Sequence, residues 1–292
     1  AVFVSLSSPV SAKPSRILSA TLASDEILTS ILAQTCDPKP CIDAYARLIA
    51  VSRFADDPRY SNIAPVSKLV KERFTGDVEQ FIKFRPDLVI LASFSRPELI
   101  TRLKTLKVAN FLMSDLTTLE SIERAITALG NQIDEPNAAA KAVELMRHDL
   151  EAATASGTIL RENGVSVLHA YDDGTISGRD TLFDAIVTAT GARNSAHDLV
   201  KGWQKLSAEA LMNLDPTAIV VGVAAGSTIE AEVIKLRNIA GIGKLRAWRE
   251  KRIIGIPDPE LSAVSPYIVK AVVKLQEALR QVVKTQQDVR PG

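Results

Sequence analysis

The chain is poor in cysteine and histidine: Cys36 and Cys41 are its only cysteines, and His148, His169 and His197 its only histidines. That excludes a cysteine-rich scaffold, and the histidines are scattered without the spacing of a zinc site, so no metal centre is expected. Excess charge is missing too. Thirty-five basic against thirty-four acidic side chains leave a formal net charge of +1, and no global field draws the protein to nucleic acid or to an anionic membrane. No run approaches the roughly 20 apolar residues of a bilayer-spanning helix. Catalytic signatures are also absent. There is no G-x-S-x-G elbow, and Gly174 to Gly178 lacks the Gly-Lys-Ser/Thr ending of a phosphate loop. Asp172 and Asp173 form a carboxylate pair, but neighbours on a strand point to opposite faces, and no catalytic partner is evident. Ile239 to Leu245 is a short, weak match to the hairpin of a helix-hairpin-helix module. An α/β hydrolytic enzyme and a nucleic-acid-binding module therefore stand only as alternatives of other classes. No catalysis is expected.

What is present is a chain of 292 residues, 46% hydrophobic, long enough for two domains with separate cores. Ala1 to Ala12 reads as a signal-peptide remnant or leader, apolar and ending in small residues. In an exported protein, Cys36 and Cys41, flanking Asp37-Pro38-Lys39-Pro40, suit a small-loop disulfide of modest stabilising effect. From Arg16 the pattern alternates: a strand to Ala20, a helix opened by Ser24-Asp25-Glu26, a strand at 48–51, a loop at 53–62, a helix near 78–84 and a strand at 88–92. The run Leu88-Val89-Ile90-Leu91-Ala92 is continuously apolar, as a parallel strand covered on both faces should be. Residues 118–156 read as almost pure helix. The alternation then resumes with segments at 165–170, 180–190, 218–223 and 253–256 and a final helix over 265–283. This predicts an N-terminal α/β lobe over 13–135, a long linker helix over 136–157 and a C-terminal α/β lobe over 158–292, each with a doubly wound parallel sheet. A faint repeat supports the pairing: Glu79 to Ile90 parallels Glu209 to Val220, each with Glu, six residues, Pro and then an apolar strand.

Four segments taken together resemble a known family. They are Arg16 to Ser19 through Asp25 to Leu28, Arg85-Pro86-Asp87-Leu88-Val89-Ile90, Gly178 to Phe183 through Gly191 to Asn194, and Gly202-Trp203-Gln204-Lys205-Leu206-Ser207-Ala208-Glu209. Trp248 to Ile254 followed by Ser265-Pro266 also fits. In this order and spacing the chain is similar to the cluster A (class III) periplasmic substrate-binding proteins of ABC importers, of the vitamin B12-binding, iron-siderophore and haem-binding type. The resemblance implies two α/β lobes joined by one long helix, a ligand held in the cleft, and delivery to a membrane permease dimer. It also implies that Glu79 and Glu209 are docking carboxylates. It further implies a monomer in the periplasm, or outside the cell and membrane-associated if lipid-anchored, with no nucleic-acid partner and no cofactor beyond the cobalt or iron of the ligand itself. Two stretches depart from the pattern: Gln34 to Ile42 is longer than expected, and Ala55 to Asn62 is distinctive.

Ligands of open parallel sheets sit beyond the carboxyl ends of the strands. That rule selects Thr21, Ser24, Phe54, Asp56, Tyr60, Phe94, Arg96, Tyr171, Asp172, Ser227 and Asp258, and the family motif adds Trp203. Phe54, Tyr60, Phe94, Tyr171 and Trp203 offer flat apolar faces suited to a macrocycle. Asp56, Asp57, Asp172, Asp173 and Asp258 outnumber Arg53, Arg59 and Arg96, an acidic mouth that disfavours a trianionic ferric catecholate. A cobalamin or other corrinoid is favoured and an iron-siderophore comes next. Haem is the alternative, with Tyr60 or Tyr171 as axial ligand.

Overall fold

The computed structural model describes residues 13–35, 42–154 and 157–288. The leader at 1–12 and both cysteines lie outside them. Contacts divide the chain into two units. One comprises Ala1–Leu116, Glu120–Met146 and Ala263–Pro266, the other Thr117–Leu119, Arg147–Ser262 and Tyr267–Gly292.

The first unit is built in the order β1 (Ile17–Ser19), α1 (Leu22–Leu32), β2 (Leu48–Ser52), α2 (Ala64–Ser67), β3 (Glu72–Phe74), α3 (Glu79–Phe84), β4 (Leu88–Ala92), α4 (Pro97–Leu106) and β5 (Asn110–Met113), followed by α5 (Leu119–Gln132). Its five strands lie in the order β3-β2-β1-β4-β5, every pairing parallel. All five residues of β4 are buried, as its unbroken apolar run requires. Ile90 and Leu91 are fully enclosed, and each such side chain contributes roughly 1.5–3 kcal/mol through burial. Phe74 and Phe81 stack with ring centroids 5.2 Å apart on one face of the sheet.

Helix α6 (Pro136–Thr154) carries the chain from one unit to the other, and at 1.5 Å per residue its 19 residues span about 28 Å. The second unit continues with α7 (Gly157–Glu162), β6 (Ser166–His169), β7 (Thr175–Ser177), α8 (Leu182–Thr190), β8 (Arg193–Asn194), β9 (Trp203–Lys205), α9 (Ala208–Met212), β10 (Ala218–Val223), α10 (Ile229–Leu236), α11 (Arg246–Arg249), β11 (Ile253–Pro257), α12 (Asp258–Leu261) and α13 (Ile268–Asp288). The parallel sheet β11-β10-β6-β8 is accompanied by an antiparallel ribbon of β7 and β9. The segment Ile239 to Leu245, which resembled a DNA-binding hairpin, is a turn and a single 3-10 stretch whose Ile242 and Leu245 are buried in this unit's core.

The repeat seen in the sequence has a structural counterpart. In each unit a short helix (α3, α9) ends before a Pro that launches a strand (β4, β10), and that strand pairs with the unit's first strand (β1, β6). Arg85 and Asp215, just ahead of the two prolines, take the left-handed conformation that closes each turn. Both sheets therefore reverse their winding direction beside their first strand, the arrangement in which open parallel sheets take ligands at the carboxyl ends of their strands.

Candidate functional site

In the first unit the carboxyl-end loops follow β1, β2, β3 and β4. Thr21 caps α1: its Oγ1 accepts from the Ser24 N–H at 3.2 Å, and Ser24 Oγ accepts from the Thr21 N–H at 3.1 Å. The helix thus starts at Leu22, earlier than Ser24-Asp25-Glu26 suggested. Ser24, expected at the ligand, is fully buried and also takes the Ser19 hydroxyl at 2.7 Å, so its side chain serves the cap. The loop after β2 shows two aromatic rings: Phe54 is 42% and Tyr60 50% exposed, and they meet edge to face with centroids 5.9 Å apart. The Arg53 guanidinium lies 4.8 Å from the centre of the Phe54 ring, and Arg59 lies 5.5 Å from that of Tyr60. After β4, Phe94 is 61% exposed, while Arg96 donates through Nη2 to the Gly76 carbonyl in the loop after β3. A side chain at Gly76, whose φ is +90°, would collide with that guanidinium.

The second unit presents Tyr171 after β6 and Trp203 in β9, at 42% and 55% exposure. Tyr171 leans on His169, which lies between it and Phe183 at centroid distances of 4.6 and 4.8 Å. Burial pushes the His169 imidazole down to about 4, so it is a neutral support, its Nδ1 3.0 Å from Ser177 Oγ. Trp203 pairs with Ser177 across the ribbon, so the two exposed aromatics share one scaffold. Ser227 donates to Glu232, which also pairs with Lys235 at 2.7 Å. Burial pushes the Asp258 carboxyl up, and Glu232 adds to this against Lys235. Its Oδ1 occupies the space that a side chain on Gly222 of β10 would take.

Pairing compensates part of the acidic charge expected at the strand ends. Arg59 reaches both Asp57 oxygens through Nε and Nη2 at 2.6 to 3.0 Å, and Arg73 holds Asp56 by two bonds of 2.5 and 2.7 Å. Both carboxyls are lowered chiefly by these arginines. With these two aspartates paired, Arg53, Arg96 and Asp77 are the other charged side chains of the loops after β2, β3 and β4. Asp172 and Asp173 lie in the turn between β6 and β7 instead of on a strand, and Asp173 accepts from Thr175 and pairs with Lys205. Glu79 opens α3 and Glu209 lies in the first turn of α9, both exposed. Among the described residues no group of His, Cys, Asp and Glu side chains is arranged to hold a metal ion, and no helix is long and apolar enough to cross a membrane.

Two residues that the sequence presented only as a helix start prove central. Asp25 and Glu26 are buried at 0% and 1% exposure. Asp25 accepts the Ser52 N–H at 3.1 and 3.0 Å, and desolvation raises its carboxyl to about 7. Glu26 Oε1 accepts the Asn62 N–H and side-chain amide at 2.9 and 3.0 Å, and its Oε2 accepts the Ser265 hydroxyl. No sequence signal announces these partners, which come from other elements of the first unit.

The profile of the family described as periplasmic binding protein matches residues 23–260. An uncharacterized ABC transporter substrate-binding lipoprotein, YvrC of Bacillus subtilis, is 26% identical over 70% of this chain and 65% of its own length. A cobalamin-binding protein of Halobacterium salinarum is 22% identical over 69% of this chain and 55% of its own, so the chain spans less than two thirds of either relative. In fold it is similar to a possible iron-binding (periplasmic solute-binding) protein of Staphylococcus epidermidis, with TM-score 0.74, 21% identity and coverage of 92% and 99% of the two chains. It is similar also to a periplasmic heme-binding protein of Pseudomonas aeruginosa, with TM-score 0.71, 22% identity and coverage of 91% and 92%.

Proposed function

The chain belongs to the periplasmic binding protein family, and from that premise we propose that it captures a bulky metal chelate outside the cytoplasm and delivers it to the permease of an ABC importer. A corrinoid such as cobalamin is the favoured ligand and an iron-siderophore complex the next. The observation that carries this reading is the set of large aromatic side chains left 42–61% exposed at strand ends: Phe54, Tyr60 and Phe94 in one unit, Tyr171 among them in the other, with Trp203 on the adjoining ribbon. Isolated exposed aromatics need no explanation, but each unit by itself groups them, three on the strand-end loops of the first and two at the end of β6 and on its adjoining ribbon in the second, and each group has the flat apolar character that suits a large ring system. The similarity to a cobalamin-binding relative and to a substrate-binding lipoprotein supports the same direction. Haem is the second reading, favoured by the exposed phenols of Tyr60 and Tyr171, either of which has the chemistry to ligate ferric iron. Glu79 and Glu209, exposed at corresponding places before β4 and β10, are the proposed contacts for basic side chains of the permease.

Titration of the purified protein with cyanocobalamin, a ferric hydroxamate and haemin, followed by quenching of tryptophan emission, tests this. At least one ligand should bind at about 1 μM or tighter. Haem bound through a tyrosine would be recognised by the absorption of a phenolate-ligated ferric centre. Failure of all three at high concentration refutes the reading.

A further inference from the structure

The loop that carries Phe54 and Tyr60 begins at Arg53, next to Ser52, and ends at Ser61, next to Asn62. Its two stems are held by neighbouring residues of α1. Asp25 accepts from the Ser52 N–H through both oxygens, and Glu26 accepts from the Asn62 backbone and side-chain amides. Within the loop, Asp57 organises the turn: its carbonyl accepts from the Tyr60 and Ser61 N–H groups, and its carboxylate holds Arg59. The second Glu26 oxygen accepts from Ser265, in the four residues Ala263–Pro266 by which the chain rejoins the first unit. The rest of the helix's buried face is mostly apolar, with Ala23, Ile27, Leu28, Ile31 and Leu32. Burying two adjacent carboxylates there is costly, and apolar side chains of similar volume would serve stability as well or better. Their placement is accounted for by what they hold.

We propose that Asp25 and Glu26 are positioning residues that fix the two stems of the aromatic loop Arg53–Ser61, with Glu26 fastening the returning segment Ala263–Pro266 to the same point. This rests on the proposed function for the loop's role in ligand capture, though the clamp itself does not need a ligand to be measured. Both Asp25 oxygens take the Ser52 backbone N–H, so its contact with the loop stem is a hydrogen bond to backbone.

The test uses the full chain with Glu26→Ala, Glu26→Gln and Ser265→Ala, and reads amide hydrogen exchange without ligand and the dissociation rates of cyanocobalamin and haemin. In Glu26→Ala, exchange across residues 53–62 should accelerate at least 10-fold while the amides of β4 keep their protection, and release of a bound probe should quicken by a similar factor. Glu26→Gln keeps an amide oxygen for Asn62 and should restore most of the protection. Should Glu26→Ala fail to fold, Ser265→Ala decides: it should raise exchange around residues 263–266 and 62 only. Uniform acceleration throughout the first unit, or none in the loop, overturns the proposal. If the wild-type protein holds neither probe, the transport reading fails, and the exchange contrast still decides whether these carboxylates position the loop.

Discussion

Replacing Asp25 with Asn should change the pH dependence of stability in a calculable way. Burial raises the Asp25 carboxyl from its ordinary 3.8 to about 7 in the folded protein. The folded state therefore holds this proton more tightly than the unfolded chain, and the stability it contributes is present below pH 4 and lost as pH rises through about 7. Between pH 5 and pH 8 the loss amounts to about 3 kcal/mol, taking 1.36 kcal/mol per unit and a fully buried site. Asn keeps an oxygen for the Ser52 N–H and has no proton to lose, so the variant should lack this slope. The stability of the wild type relative to Asp25→Asn should thus fall by about 3 kcal/mol from pH 5 to pH 8. Asp56, Asp57 and Asp173, whose carboxyls are lowered, lose their stabilising contribution only in acid, outside this window, and the comparison of the two proteins removes it in any case. Both tryptophans, Trp203 and Trp248, lie in the second unit, so fluorescence would miss the relevant transition. Urea unfolding should instead be followed by hydrogen exchange of first-unit peptides covering β1 and β4. A wild-type-to-variant difference that stays constant over this pH range would refute the reasoning, since it would mean that Asp25 titrates alike in the folded and unfolded chain.

Other outcomes can be checked independently. Thr21→Ala removes the capping acceptor and should lower first-unit stability by about 1 kcal/mol, read as a shifted urea midpoint with unchanged slope. Ile90→Ala, in the centre of the fully buried β4, should cost about 2–5 kcal/mol by the same assay. Phe54→Ala and Tyr60→Ala should each weaken ligand binding about 10-fold in equilibrium titrations while costing less than about 1 kcal/mol of stability, because both rings are near half exposed and lose chiefly their edge-to-face contact. Charge reversal at Glu79 and Glu209 together should leave ligand affinity unchanged and abolish uptake in a transport assay. A loss of affinity would show that these carboxylates belong to the ligand site instead.

Much of this fold can be read from the sequence because its central strands are covered on both faces. Leu88 to Ala92 and Ala218 to Val223 are unbroken apolar runs launched by Pro86 and Pro216, and each is a central strand of its sheet. The peripheral strands leave no such trace. Glu72-Arg73-Phe74 and Trp203-Gln204-Lys205 are polar and short, and backbone pairing with a neighbour defines them more than any apolar period does. The aromatic positions follow from a rule about strand ends, but the pairing of charges there does not. Asp56 is neutralised by Arg73, 17 residues away in sequence, and composition cannot show such a pairing. Asp25 and Glu26 are the sharpest case. Acids near the amino-terminal end of a helix ordinarily complement its dipole at the surface. These two are buried because their donors arrive from 27, 36 and 239 residues downstream.

That last distance bears on how specificity can be transplanted among relatives. A chimaera that takes its first 146 residues from one protein and the remainder from another inherits the carboxylate of Glu26 but a foreign stretch at 263–266, and so risks leaving a buried charge without its hydroxyl donor. Recombination along this chain respects the architecture only when those four residues travel with the amino-terminal portion. A graft designed from linear order alone would exchange the aromatic loop yet unfasten its footing.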